Sequence, residues 1–143
     1  MTQENKELLF KDLSARLPYE VKVHAKYVDT DTDVEKVGVL SMIDNDTVVA
    51  FTCDDTNCYN YVAIHEVKPY LFPISSMNEE QKREYNYWKH EVPVGYYEYG
   101  DIVEKIELFD SPESFQYLIE NHFDYHGLIE KGLAIDATGK NIY

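Results

Sequence analysis

The stretch Tyr19-Glu20-Val21-Lys22-Val23-His24-Ala25-Lys26-Tyr27 alternates without a break. Tyr19, Val21, Val23, Ala25 and Tyr27 form an apolar side and Glu20, Lys22, His24 and Lys26 a polar one, the period of two of a strand with one buried and one wet face. The reading extends from this strand in both directions. Before it, Leu9, Leu13 and Leu17 recur at four-residue spacing with Phe10 widening the stripe, which predicts a helix from about Gln3 to Arg16. Pro18 closes that helix by disfavouring helical geometry at Leu17. After the strand, the acidic segment from Asp29 to Asp33 reads as a polar turn, and Val37 to Ile43, apolar on both faces, as a central strand. Asp44-Asn45-Asp46 has the composition of a hairpin turn, with Thr47 to Cys53 as the partner strand. Asp54-Asp55-Thr56-Asn57 then turns the chain into a fourth strand, Tyr59 to Val67. None of these connections is long enough for a helical crossover, so the sheet is expected to be antiparallel.

Beyond Val67 the character changes. Pro69 and Pro73 bracket Tyr70-Leu71-Phe72 in an extended, sheet-edge or loop segment. Ser76-Met77-Asn78-Glu79 fits a capping box and predicts a helix with Met77, Gln81, Tyr85 and Trp88 on one stripe, ended by Pro93 and Gly95. Ile102 to Phe109 fits a helix or a strand, with the strand preferred. Ser111-Pro112-Glu113 combines a Ser cap, a Pro at the first position and an acid in the first turn, so a last helix starts there with Phe115, Leu118, Ile119 and His122 inside. The expected class is α+β: one domain over residues 1–143, an antiparallel sheet of four to six strands covered by an N-terminal helix and two C-terminal helices.

Composition limits the function. With 143 residues, 44% of them apolar, the chain can bury a core without disulfides or metals. Its 13 Lys and Arg against 27 Asp and Glu give a net charge of -14, which argues against a broad basic face for nucleic acid and against anionic lipid. No run approaches the roughly 20 apolar residues of a membrane-spanning helix. The start, Met1-Thr2-Gln3-Glu4-Asn5-Lys6-Glu7, lacks the basic and apolar regions of a secretory signal, so a cytoplasmic location is expected, with Cys53 and Cys58 as free thiols.

The chemistry-bearing groups are sparse. Asp29-Thr30-Asp31-Thr32-Asp33 begins like a calcium loop, but Val34 stands where the turn needs Gly and Leu40 where the bidentate Glu belongs. Cys53, Cys58, His65 and His24 would suit zinc if the sheet brought them together, but the Cys-x4-Cys spacing is loose and such cysteines are more often small buried apolar residues at hairpin ends. His122 and His126 lie four apart around Asp124, as two metal ligands on one helix would. The Glu of a His-Glu-x-x-His hydrolase is missing, and a helix C-terminus capped by imidazoles is the plainer reading. Neither a phosphate loop nor a nucleophile elbow occurs. No catalytic residue, metal or cofactor is therefore assigned.

Aromatic and acidic residues are more informative. Ten aromatics fall between Tyr59 and Tyr99, interleaved with Lys68, Lys82, Arg83, Lys89 and His90. Tyr and Trp supply large contact area at low entropic cost. The candidate contact set is Tyr70, Phe72, Tyr87, Tyr96, Tyr97, Tyr99, Lys68 and Arg83. From Asp29 to Glu66 there are nine acids and one base, Lys36, so Asp29, Asp31, Asp33, Asp44, Asp46, Asp54 and Asp55 are read as an acidic face suited to steering a basic protein, or simply to solubility.

Two stretches carry a resemblance: Val67-Lys68-Pro69-Tyr70-Leu71-Phe72-Pro73-Ile74-Ser75-Ser76-Met77-Asn78-Glu79-Glu80, and His122-Phe123-Asp124-Tyr125-His126-Gly127-Leu128-Ile129-Glu130-Lys131-Gly132-Leu133-Ala134. Together they resemble an uncharacterised family of small acidic proteins from gut anaerobic bacteria, their phages and mobile elements, whose pattern has Arg where His126 stands. The resemblance covers roughly the C-terminal half. It implies a setting, accessory proteins of phage or mobile DNA, and transfers no catalytic residue. The preferred expectation is a non-enzymatic protein that binds a protein partner through the acidic face and the Tyr-rich surface. A binder of a nucleotide-like small molecule is the alternative, and a metal-dependent enzyme the third.

Overall fold

A computed structural model describes residues 1–44, 47–53 and 58–143, apart from the side chain of Tyr96. The described residues form helices α1 (Gln3–Arg16), α2 (Glu79–Tyr87) and α3 (Pro112–Glu120), and strands β1 (Lys22–Asp29), β2 (Thr32–Ile43), β3 (Val48–Thr52), β4 (Tyr59–Ala63), β5 (Val67–Leu71), β6 (His90–Glu98), β7 (Asp101–Phe109) and β8 (Ile135–Asp136). Six strands make one sheet in the order β4-β3-β2-β1-β5-β8, antiparallel except for the short β5–β8 pair. Strands β6 and β7 form a separate two-stranded ribbon. The α+β class holds, with the N-terminal helix and the C-terminal helices packed against the sheet system.

The alternation that opens the sequence is present, displaced toward the C-terminus. Val21, Val23 and Ala25 are buried, but Leu17–Tyr19 makes a 3-10 turn and Glu20 takes a left-handed φ of 55°, so the strand starts at Lys22. The acidic segment is not a loop. Only Thr30 and Asp31 turn, with φ of 50° and 62°, the pair of left-handed residues that matches strand twist in a two-residue hairpin. Asp29 and Asp33 are therefore strand residues, and β2 is correspondingly long.

The expected strand Tyr59 to Val67 divides. Glu66 accepts a hydrogen bond from the Ala63 N–H (2.9 Å), closing a 3-10 turn at Ile64–Glu66 that carries the chain to the far side of β1 as β5. Pro69 stands opposite Val23 of β1, and on its other side β8 pairs only with Tyr70 and Leu71, so no strand flanks Pro69 there.

Two cores result. Leu9 and Leu13 of α1 pack with Val21, Val23, Phe51, Ile64, Leu71 and Leu128. Met77, Tyr117, Leu118 and Phe123 form the second, with Phe72 and Tyr85 against it. Helix α2 begins two residues after the expected cap: Asn78 accepts from the Gln81 N–H (2.8 Å) and Gln81 accepts in return from the Asn78 N–H (2.9 Å), while Ser76 lies in a 3-10 turn. It stops at Tyr87, and Pro93 and Gly95, read as helix breakers, are residues of β6. Helix α3 starts at the Ser111 cap as read, and its inner face is Ser114, Tyr117, Leu118 and Ile119.

Candidate functional site

An ionic centre lies under α1. Asp12 and Arg16, i and i+4 on that helix, are both 0% exposed. The Asp12 carboxylate accepts from Arg16 Nε (2.7 Å) and Nη2 (3.1 Å) and pairs with His126 Nδ1 (2.8 Å). Arg16 Nη2 also donates to the Phe123 carbonyl (2.6 Å), tying α1 to the loop after α3. Burial alone would raise the Asp12 carboxyl, but the His126 hydrogen bond and the Arg16 guanidinium outweigh it and hold the group below its ordinary value. Asp124 fixes the same loop by accepting from the backbone N–H groups of Leu128 (2.8 Å) and Ile129 (3.0 Å). A His–Asp pair invites a catalytic reading. Here the imidazole is nearly covered, with Phe115 and Tyr125 edge-on to it, and among the described residues no hydroxyl or thiol is hydrogen-bonded to it. What the arrangement does chemically is neutralise a buried charge and anchor a loop.

His122 is not on α3. With φ of 64° it follows the helix, its ring stacked on Tyr143 at 3.8 Å and its Nδ1 buried without a partner. The Tyr143 hydroxyl donates to the Tyr70 carbonyl (2.8 Å) and accepts from the Lys22 N–H (2.9 Å), so the C-terminus is strapped across β1 and β5. Burial, then Arg16 and Lys22, push His122 down to about 4 from 6.5. The unfolded chain therefore binds a proton here that the folded chain resists. This part of the stability is complete above about pH 6.5 and is lost as pH falls toward 4. Full burial would make the loss about 3 kcal/mol, and partial exposure of the ring reduces it to the order of 2. Urea unfolding at pH 7 and pH 4.5 is expected to show a drop smaller by that amount in His122→Gln than in the parent. Equal drops would remove the assignment.

The second feature is the ribbon. Tyr99 and Gly100 turn it with φ of 52° and 86°, again a two-residue left-handed pair. Register places Glu91 opposite Leu108, Pro93 opposite Ile106, Gly95 opposite Glu104 and Tyr97 opposite Ile102. Facing residues share a side of the pleat, so one face carries Leu108, Pro93, Ile106, Tyr97 and Ile102 with two carboxylates and no base. It is bare: Tyr97 is 80% exposed, Ile102 68% and Ile106 66%. The opposite face is mixed, with Val92, Val94 and Val103 beside a Lys105–Glu107 pair (2.9 Å). An isolated two-stranded ribbon is marginal in water, and the root of this one is clamped. Ser111 Oγ donates to the Trp88 carbonyl, the Tyr85 hydroxyl donates to Asp110, and Tyr85 stacks on Tyr117 at 6.3 Å. Burial and the Asp110 contact raise the Tyr85 phenol, and burial with Glu84, which accepts from the Tyr117 hydroxyl (2.9 Å), pushes Tyr117 up to about 12. Beside the clamp a cleft of about 180 Å³ is lined by Trp88, Glu113, Gln116, Tyr117 and Glu120.

The expected contact residues divide between surface and interior. Tyr87, Tyr97 and Tyr99 are exposed, on the end of α2 and on the ribbon, and Lys68 and Arg83 are exposed on β5 and α2. Tyr70 is buried, its ring edge-on to His24, and Phe72 packs on Phe123, so these two belong to the interior. The Tyr96 side chain lies outside the description. Ile102, Ile106 and Leu108 are not in the expected set, although their even spacing within an acidic segment, which puts all three on one side of a strand, is the signal that marks them.

The described members of the expected acidic face, Asp29, Asp31, Asp33 and Asp44, are split between the two ends of one strand. Asp29, Asp31 and Asp33 are exposed at one end of β2 and Asp44 at the other, roughly 35 Å away at about 3.3 Å per residue. Asp46, Asp54 and Asp55 fall outside the described residues. Among the described residues no three His, Cys, Asp or Glu side chains converge as metal ligands. His24 faces Glu35 (3.8 Å), His65 is exposed on its 3-10 turn, and Cys53 and Cys58 are free thiols.

The two stretches that carry the family resemblance meet each other. Phe72 N–H donates to the His122 carbonyl (2.8 Å) and Asp124 N–H to the Phe72 carbonyl (2.9 Å). No helix is long and apolar enough to cross a membrane among the described residues. No family model, curated protein or solved structure matches the chain.

Proposed function

We propose that the chain is a non-enzymatic accessory protein of a phage or mobile element, and that it binds a protein partner through the β6–β7 ribbon. The observation that carries the reading is the bare apolar face of Pro93, Tyr97, Ile102, Ile106 and Leu108 on a ribbon that, among the described residues, pairs with no strand of the larger sheet. Large exposed apolar patches rimmed by polar groups mark interaction sites, and covering this one gains stability that the free ribbon lacks. Charge indicates what covers it. The ribbon holds five acids against Lys105 in a chain of net charge -14, so a second copy is repelled and a basic partner attracted.

The test compares the parent with the double variant Ile102→Asp, Ile106→Asp in capture from a host lysate at low and high salt. The parent is expected to recover a stoichiometric basic partner that is released by salt, and the variant to recover less than about a tenth as much. The variant's melting temperature should stay within about 3 °C of the parent's, since both side chains face water. Equal capture by the variant would overturn the proposal.

A further inference from the structure

We infer that the cleft at the root of the ribbon receives an arginine side chain of the bound partner. This inference rests on the protein-binding reading for the source of the arginine, and on the cleft itself for its chemistry. Glu113, Gln116 and Glu120 follow at i, i+3 and i+7 along α3 and share one side of it. Trp88 and Tyr117 supply aromatic walls, and no base lines the space among the described residues. Two carboxylates beside an indole recognise a planar, weakly hydrated cation, because guanidinium stacks on the ring and forks onto the carboxylates where an ammonium makes only a point contact.

Size and charge separate this occupant from the alternatives. A volume near 180 Å³ lies below the roughly 300 Å³ at which pockets begin to enclose drug-sized ligands, and a phosphate would face Glu113 and Glu120. The nucleotide reading is thus disfavoured at this cleft. Arg83 lines a neighbouring space. It belongs to a second cavity of about 440 Å³ with Glu84 and Tyr87, bordered on the shared side by Trp88 and Tyr117. Lys89 is held at 4.2 Å over the Tyr85 ring and is not part of the cleft lining.

The cleft is also held open by its surroundings. Gln116 Nε2 donates to Glu120 (2.6 Å), fixing that carboxylate, and the Trp88 carbonyl is bound by Ser111 Oγ, fixing the backbone that carries the indole. Trp88 itself is still 45% exposed, and Glu113 has no hydrogen-bond partner among the described residues. A partner Arg entering here would lie within a few residues of both legs of the ribbon, which leave the clamp at His90 and Phe109.

Trp88 is the only tryptophan, so its fluorescence reports on this cleft and on the cavity it borders with Arg83 and Glu84, and the Glu113→Gln, Glu120→Gln variant separates the two. The probes are N-acetylarginine methylamide and its neutral isostere N-acetylcitrulline methylamide, titrated against the full chain with selective tryptophan excitation. A saturable change with the arginine probe in the millimolar range is expected, at least about tenfold weaker with citrulline, and weakened by a similar factor in Glu113→Gln, Glu120→Gln. Equal response to the two probes, or a double variant that binds arginine as the parent does, would overturn the inference. The ribbon reading fails separately. If Ile102→Asp, Ile106→Asp keeps the arginine titration and still captures the partner, the ribbon proposal falls while the cleft stands. If that variant loses capture but citrulline matches arginine, the cleft falls while the ribbon stands.

Discussion

Asp12→Ala is expected to lose about 3–5 kcal/mol of folding stability, a large part of the 5–15 kcal/mol that holds a domain of this size. The carboxylate accepts three hydrogen bonds, two from Arg16 and one from His126, and neutralises a guanidinium that is 0% exposed. Among the described residues Arg16 Nη1 already lacks a partner, so without Asp12 the buried cation keeps, of those partners, the Phe123 carbonyl. Breaking one half of a buried pair costs more than removing both halves, because the survivor stays charged and dry. The double variant Asp12→Leu, Arg16→Met should therefore regain part of the loss. Urea unfolding followed by circular dichroism measures both. An Asp12→Ala loss under about 1 kcal/mol, or a double variant worse than the single one, would show that the centre does not carry this weight.

Gly38→Ala is expected to cost about 3 kcal/mol, a fall of roughly 10 °C in melting temperature for a chain of this length. A Cβ at Gly38 would stand 2.4 Å from the Thr52 carbonyl oxygen and 2.8 Å from Phe51 Cδ2. Neither can move cheaply. Phe51 is fully buried, and Thr52 pairs with Val39 next along, just before the register shift between Leu40 and Met42. Overpacking against backbone must be relieved by shifting β2 from β3, and a one-residue slip would turn the buried side of β3 outward. Gly95→Ala is the control: its Cβ would meet nothing within 4 Å, so a change within about 0.5 kcal/mol is expected. Similar losses at the two positions would sink the steric account.

These two sites show where sequence reading reached and where it stopped. The alternation around Val21, Val23 and Ala25, the stripe of α1 and the Ser111-Pro112 start of α3 were legible because burial on one side imposes a period. Ribbon residues lack that pressure. With both faces of β6 largely in water, Pro93 and Gly95 looked like helix breakers, when Pro is tolerated on an edge and Gly95 meets open space. The ionic centre was missed because polarity was taken to mean exposure. Asp12 and Arg16 flank Leu13 on the inner side of α1, and opposite charges four apart on an apolar stripe were the available sign. Their third member, His126, lies more than a hundred residues away, a link that local spacing cannot show. Within the aromatic-rich segment, totals could not separate Tyr97, exposed on the ribbon, from Tyr70, buried in the interior.

The clamp at the root of the ribbon has a further consequence. His90 and Phe109 are the last facing pair, and α2 and α3 meet through Tyr85 and Tyr117 on the near side of it. The two legs enter and leave as a facing pair, so their chain ends at His90 and Phe109 lie about 5 Å apart, as directly opposed antiparallel residues do. The ribbon is therefore a cassette in the genetic sense: it can lengthen, change its exposed residues or be exchanged without disturbing either core. Sequence change in the ribbon and sequence change in the cores are thereby uncoupled in their effect on folding.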